Sequence, residues 1–173
     1  MNNPVLTAVA DRRSIRGYKP DQITKEQLDA IMTAAGQSPS ARNSQPWHFT
    51  VVQNTAIIKE VNDEANKLLE RTDDIFYGAP TAIFISCDAS SRWGRLDCGI
   101  AVQTIALAAH ALGLGSVILG LPDAAFTGPR GAYFNQLLKF PEGYSFAVAI
   151  AIGVPATTKE AHPIEPGRID IIS

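Results

Sequence analysis

Three arginines and a serine fall within five residues near the start of the chain, in the order Arg12, Arg13, Ser14, Ile15, Arg16. A guanidinium group presents paired donors that match two phosphate oxygens at once, and a serine hydroxyl can fill a remaining acceptor direction. The cluster is therefore a candidate phosphate site. A solvated basic turn would have the same composition, so the cluster alone leaves both interpretations open.

A second candidate is the polar loop SPSARNSQPW, in which Pro39 and Pro46 restrict the backbone. A stiff loop holds amide and hydroxyl groups in fixed directions and loses little entropy on binding. Loops of this kind on a rigid scaffold often carry binding residues, and this one would suit a polar heteroaromatic ring. The alternative is a surface loop that Trp47 anchors in the core.

The glycine-rich segment LGLGSVILG, residues 112–120, superficially resembles a dinucleotide-binding loop. It follows a predicted helix and enters a predicted strand, which is the reverse of the required order, and Ile118 stands where a third glycine is needed. We therefore exclude that motif. Gly113 and Gly115 are predicted to end the helix, whereas Gly120 would let the backbone approach a flat group closely.

Several other kinds of chemistry find little support in the sequence. Cys87 and Cys98 have no CxxC or histidine partner at ligand spacing, and no serine or cysteine lies in a nucleophile motif, so no metal site or covalent catalysis is predicted. A formal net charge of -2 gives no electrostatic case for nucleic acid. Because neither a signal peptide nor an apolar stretch of membrane-spanning length is evident, we expect a cytoplasmic protein.

The elements that must position these residues follow from hydrophobic periodicity and helix-end signals. The pattern predicts helices at residues 4–10, 25–36, 55–69 and 98–112, a weaker helix at 133–140, and strands at 48–53, 81–87, 116–119, 145–152 and 168–172. Helices and strands without strict alternation favour an α+β sandwich around one sheet. No linker or repeat divides the chain, so residues 1–173 are predicted to form a single domain.

Together and in this order, five features of the chain resemble the FMN-dependent nitroreductase family over nearly its whole length. They are RRSIR, SPSARNSQPWHF, FYGAPTAIFIS, DCGIAVQTIALAAHALGLGS and the C-terminal Arg168. The most specific element is NSQPW in combination with the earlier RRSxR. The resemblance implies a nitroreductase-like sandwich with a central mixed, mainly antiparallel sheet flanked by helices. It also implies an intertwined homodimer with FMN at the subunit interface, and the low charged fraction of 18% fits the burial of a large interface.

The resemblance assigns cofactor roles to particular residues. The phosphate, ribityl chain and N1/O2 edge of the flavin would contact Arg12, Arg13, Ser14 and Arg16. The other subunit would line the ring with Pro39, Ser40, Asn43 and Gln45. Backbone groups of Leu119 and Gly120 would lie beside the N5/O4 edge, and Arg168 would contact the phosphate.

The resemblance also implies a reaction. Reduced NAD(P)H would pass a hydride to flavin N5 and leave, and a nitroaromatic, quinone or similar small acceptor would then take its place. No protein acid or base is needed, because the cofactor performs the redox chemistry. The alternatives are a non-catalytic flavin-binding or sensing protein, a specialised flavin enzyme of the same fold with little nitroreductase activity, and an interaction domain without flavin.

Two departures from the family pattern bear on the site. Larger members have an asparagine and a lysine near the flavin, before the segment that corresponds to FYGAP. This chain has Arg71, Asp73 and Asp74 there, with Asn66 and Arg71 as the substitutes to consider. The chain is also short for the family, so the helical excursion that covers the active site in longer members is expected to be reduced to residues 126–134. That change bears on substrate preference.

Overall fold

The computed structural model describes residues 3–172. Its helices are α1 (Pro4–Asp11), α2 (Lys25–Gly36), α3 (Thr55–Leu69), α4 (Gly94–Ala111), α5 (Asp123–Thr127) and α6 (Gly131–Leu137), with a 3₁₀ turn at Ala41–Asn43. Its strands are β1 (Trp47–Val52), β2 (Thr81–Asp88), β3 (Gly115–Leu119) and β4 (Tyr144–Gly153). Most predicted elements are confirmed to within a few residues at each end.

The first two helices begin at the predicted capping residues. The Asn3 side chain accepts hydrogen bonds from the backbone N–H groups of Val5 and Leu6 at 3.0 and 3.2 Å. Thr24 and Gln27 form a reciprocal capping box at the start of α2. These side chains satisfy donors that the first helical turn leaves unpaired, which is why the sequence located both helix starts.

The four strands form one sheet in the order β1-β2-β4-β3, and every neighbouring pair is antiparallel. Strand β2 lies inside the sheet and is buried on both faces. Ile83 and Ile85 pack toward α2 and α4, whereas Ala82 and Phe84 pack toward α3, α5 and α6. The predicted α+β architecture is confirmed. Within residues 3–172, the parallel component of the expected mixed sheet is confined to one isolated bridge, from Ser14 to Ser116.

Three local predictions need correction. Helix α4 begins at Gly94, not at Cys98, and its start carries no sequence signal because the N-cap residue Trp93 makes no side-chain capping hydrogen bond. Residues 168–172 do not form a strand, since this exposed tail has no strand beside it in the described structure. The helix predicted at residues 133–140 spans Gly131–Leu137.

The segment expected to replace the helical excursion, residues 126–134, contains the end of α5 and the start of α6. Phe126 and Phe134 are buried in the core beneath the sheet, where Phe126 stacks on Phe146 with ring centroids 4.6 Å apart. This segment is therefore packed into the body of the protein. Across the described chain, none of the helices combines the length and apolar character that crossing a membrane requires.

Candidate functional site

The arginine segment lies beside strand β3. Ser14 forms an isolated parallel bridge with Ser116, and the Ile15 N–H donates to the Ser116 carbonyl at 2.9 Å. Further along, the Lys19 N–H donates to the carbonyl of Val154, just beyond β4, at 2.9 Å. The backbone from Ser14 to Lys19 is thus attached to the sheet at both of its ends, directly after Arg12 and Arg13, which suits a preorganised site.

Arg12 and Arg13 have different surroundings. The Arg12 Nε atom is buried and has no hydrogen-bond partner within residues 3–172. Arg13 donates through Nη1 to the carbonyls of Ala10 and Arg12, at 2.6 and 2.9 Å, and so covers the C-terminal end of α1. A buried donor without an acceptor is costly. Arg12 is therefore the arginine whose surroundings call for an external anion.

Two cavities, here called the arginine cavities, open beside this segment. Their volumes are about 340 and 400 Å³, and both are lined by Arg12, Arg13 and Lys159. The first cavity also borders Ser116, and the second borders Ser14. Sequence reasoning missed Lys159, because an isolated lysine in a proline-rich tail belongs to no pattern. Lys159 becomes a candidate site residue only because the tail folds back onto the arginine segment.

The Arg16 guanidinium lies against a different residue, Tyr77. The guanidinium carbon lies 5.8 Å from the centroid of the Tyr77 ring, within the range of a cation–π contact. Nearby, the Tyr18 hydroxyl donates to the Ile15 carbonyl at 2.8 Å, and burial raises the pKa of Tyr18 well above its usual range. The phenol therefore stays neutral and helps hold the turn that carries Arg16.

Strand β3 ends at the buried Leu119, and the exposed Gly120 follows it. A Cβ atom added at Gly120 would meet nothing within 4 Å, and the residue has no left-handed φ. Neither the packing nor the backbone of the chain itself therefore requires glycine here. The open space favours the predicted close approach of a ligand to this part of the backbone.

The polar loop SPSARNSQPW, residues 38–47 and here called the proline loop, has an unusual backbone conformation. Arg42, Asn43 and Gln45 have φ values of 56°, 55° and 47°, a left-handed region that costs about 1–2 kcal/mol for each non-glycine residue. Within the loop, the Gln45 N–H donates to Ser40 Oγ at 2.9 Å, and Gln45 Nε2 donates to Asn43 Oδ1 at 3.1 Å. Several polar groups are thus fixed in direction, as the sequence predicted for this loop.

The loop is tied to α4 by a residue that the sequence analysis did not single out. The Ala41 N–H donates to Asp97 Oδ1 at 3.1 Å, and Asp97 is only 2% exposed. Asp97 lies one helical turn before the buried Ala101, on the same stripe of α4. An acidic residue at a core position was the signal available in the sequence.

The structure brings together only some of the predicted site residues. Arg12, Arg13 and Ser14 share the arginine cavities with residues of the tail and of the β3 segment. Those cavities include none of the predicted ring-lining residues Pro39, Ser40, Asn43 and Gln45, and Arg168 is exposed and lines neither of them. The supply of this loop by a second subunit stays a prediction.

The two proposed substitutes for the family's asparagine and lysine have partners of their own. Asn66 Nδ2 donates to the Asp73 carbonyl, and Arg71 forms a paired contact with the Asp73 carboxylate at 2.9 and 2.7 Å. This ion pair holds the pKa of Asp73 below its usual range. Both side chains therefore stabilise the segment that leads to Tyr77.

Comparison with known proteins places these features in a family. The nitroreductase family model matches residues 9–154. A Desulfitobacterium hafniense nitroreductase solved with bound FMN superimposes with a TM-score of 0.93 and 36% identity, and each chain is covered completely.

Two curated relatives match almost the whole chain. A Methanothermobacter thermautotrophicus protein, provisionally named NADH dehydrogenase/NAD(P)H nitroreductase, is 35% identical over 96% of this chain and 86% of its own length. A Bacillus subtilis FMN reductase that uses NAD(P)H is 31% identical over 95% of this chain and 71% of its own length. Given these matches and the family model's coverage of most residues, the chain belongs to the nitroreductase family of oxidoreductases.

Proposed function

We propose that this chain is an FMN-dependent oxidoreductase that takes reducing equivalents from NAD(P)H and delivers them to a small acceptor such as a nitroaromatic or a quinone. The observation that carries the proposal is the buried, unpaired Arg12 Nε beside two cavities that Arg12 shares with Lys159. The Desulfitobacterium hafniense relative binds FMN, which supports this choice of cofactor. When bound, FMN would supply the hydride chemistry by accepting and releasing reducing equivalents at one face of its ring.

The residues beside the arginine cavities fit the phosphate end of such a cofactor. Arg12 can donate to phosphate oxygens, and Lys159 adds a second positive charge that the same anion could reach. Ser14 borders the second cavity and offers a hydroxyl donor. We propose that these residues, with Arg13 and the tail Arg168, hold the phosphate and the ribityl chain.

The residues near the end of β3 fit the flat part of the cofactor. We propose that Leu119 and Gly120 present backbone groups to one edge of the ring. Arg16, steadied against Tyr77, would hold a positive charge at the edge where negative charge develops on reduction. A charge fixed in advance lowers the barrier to such a step without reorganisation.

A second copy of the chain would complete the site with Pro39, Ser40, Asn43 and Gln45. The outer face of α4 supports a homodimer. Trp93 and Leu96 are 49% and 60% exposed there, and Leu96 and Ile100 border an open groove of about 440 Å³. Apolar exposure of this kind marks an interaction surface. In this arrangement residues 1–173 act as one FMN-binding domain that needs its copy for a whole site.

Anaerobic titration of the purified, FMN-loaded protein tests this function. NADH or NADPH should bleach the visible flavin absorbance, and a nitroaromatic or quinone added afterwards should restore it. The two half-reactions should also proceed separately, because donor and acceptor would use the same face of the ring. A protein that binds no flavin would refute the proposal, and a flavin that neither nicotinamide reduces would indicate a binding or sensing role instead.

A further inference from the structure

We infer that Asp97 is a positioning residue for cofactor binding, acting through its hydrogen bond to Ala41 to hold the proline loop in its ring-binding shape. This inference rests on the proposed function and concerns a residue outside the predicted ligand set. It follows from the burial of Asp97, from its single polar contact and from the backbone conformation of the loop that it holds.

The Asp97 carboxylate makes one hydrogen bond within the described part of the chain. Asp97 Oδ1 accepts from the Ala41 N–H at 3.1 Å, whereas Asp97 Oδ2 is buried and lacks any partner in the described part of the chain. Burying a carboxylate oxygen that has no hydrogen-bond partner costs folding free energy. A small apolar residue would suit this stripe of α4 better if packing were its only task.

Ala41 lies where the left-handed part of the proline loop begins. Ala41 opens the 3₁₀ turn, and the left-handed residues Arg42 and Asn43 follow at once. Ser40 and Asn43, two of the predicted ring-lining residues, lie on either side of Ala41–Arg42. A conformation with several left-handed residues persists only where its surroundings hold it. The bond from Asp97 provides such a constraint next to the residues that would contact the ring.

The proline loop is fixed at its other end by a different hydrogen bond. The Asp88 N–H donates to the Pro46 carbonyl at 2.9 Å, through backbone atoms alone. Removing the Asp97 carboxylate would therefore release the Ser40–Asn43 end and leave the Pro46 end attached to the sheet. The expected consequence is a loop that still folds but no longer presents its polar groups in one arrangement.

Two substitutions test the bond from its two sides. Asp97→Ala removes the acceptor. Ala41→Pro removes the donor at the first position of a 3₁₀ turn, where proline fits because Ser40 is already extended, with φ −139° and ψ 156°. Each should weaken FMN binding about tenfold, as expected for loss of a charge-assisted hydrogen bond. Each should also change the visible circular dichroism of the remaining bound flavin, which reports ring surroundings.

The double variant should bind FMN no more weakly than either single variant, because both remove the same bond. Asp97→Asn keeps an oxygen acceptor and should restore most of the affinity. Asp63→Ala is the control: its carboxylate accepts from Lys59 Nζ at 2.5 Å on the exposed face of α3, so its loss should leave flavin affinity and dichroism unchanged.

Wild-type affinity and dichroism in both Asp97→Ala and Ala41→Pro would overturn the inference, as would additive losses in the double variant. If Asp97→Ala does not fold, Ala41→Pro and Asp97→Asn still decide the question, since both leave a polar side chain at residue 97. A wild-type protein that binds no FMN would instead refute the proposed function. The two failures are thus distinguishable.

Discussion

Ser14 pairs with Ser116, and this bridge places the arginine segment beside β3, the strand that Gly120 follows. The two serines are far apart in sequence, yet the Ile15 N–H donates to the Ser116 carbonyl at 2.9 Å. The pairing joins the proposed phosphate ligands to the backbone proposed to meet the flavin ring. One rigid contact therefore fixes the relation between the two ends of the proposed cofactor site.

Arg12→Ala should weaken FMN binding about tenfold to a hundredfold, the value of a lost charge-assisted hydrogen bond to phosphate. The buried Arg12 Nε atom has no acceptor within the described chain, so its removal breaks no internal bond made by that atom. Titration of the apoprotein with FMN, followed by flavin fluorescence, measures the effect. Lys25→Ala, an equal change of charge on exposed α2, serves as the control. Unchanged retention of flavin in Arg12→Ala would contradict the phosphate assignment.

Lys159→Gln should also weaken FMN binding, and the loss should shrink at high salt because the contact is between charges. Lys159 borders both arginine cavities, whereas Arg168 borders neither. Arg168→Gln is the informative companion, since the family resemblance favours that residue. Affinities at low and high salt, compared between the two variants, show which tail cation lies nearer to the phosphate. A salt-independent loss in Lys159→Gln would argue against a direct ionic contact.

Gly120→Val should fold normally and bind FMN poorly. The structure leaves open space where the side chain would go, so the unfolding midpoint of the apoprotein should change little. The ligand, by contrast, would meet the added methyl groups. Gly131→Ala provides the contrast, because its Cβ would lie 2.0 Å from the Phe126 carbonyl oxygen and should destabilise the fold itself. Normal flavin affinity in Gly120→Val would show that the flavin ring does not lie against this part of the backbone.

Arg130→Ala should lower stability at neutral pH more than at acidic pH. Arg130 donates to Glu60 at 2.6 Å and to the buried Glu64 at 3.4 Å, and its hydrogen bond lowers the pKa of Glu60 below its ordinary value. A lowered pKa in the folded state means that the stabilisation is present above the unfolded-state pKa. It is lost as the pH falls through the folded-state value. Urea unfolding of both proteins from about pH 7 to about pH 3 measures this difference, and a pH-independent difference would exclude the ionic explanation.

Leu96→Glu should dissociate the proposed dimer and weaken FMN binding at the same time. The residue is largely exposed on the outer face of α4, so a charge there should not disturb the fold of the subunit. Sedimentation velocity and flavin titration on the same samples test the two effects together. Glu142→Leu, an opposite change in an exposed turn, is a control for general solubility. A monomeric wild-type protein that binds FMN fully would refute the need for a second subunit.

Local spacing in the sequence was enough to predict the parts of this protein that depend on neighbouring residues. The Asn3 cap, the Thr24 capping box and the buried strand 81–87 were predictable because each rests on local spacing of polar and apolar groups. The arginine cluster and the proline loop could also be picked out as candidate sites, since their chemistry lies within short segments.

How those segments meet could be seen only after the chain had folded. The tertiary fold brought Lys159 and Arg12 to the same cavities, left Arg168 exposed and tied Ala41 to Asp97. Each of these depends on contacts between residues distant in sequence, which no local period encodes. The tail shows the limit most directly: residues 168–172 have strand composition, but a strand forms only where a neighbouring strand offers hydrogen bonds.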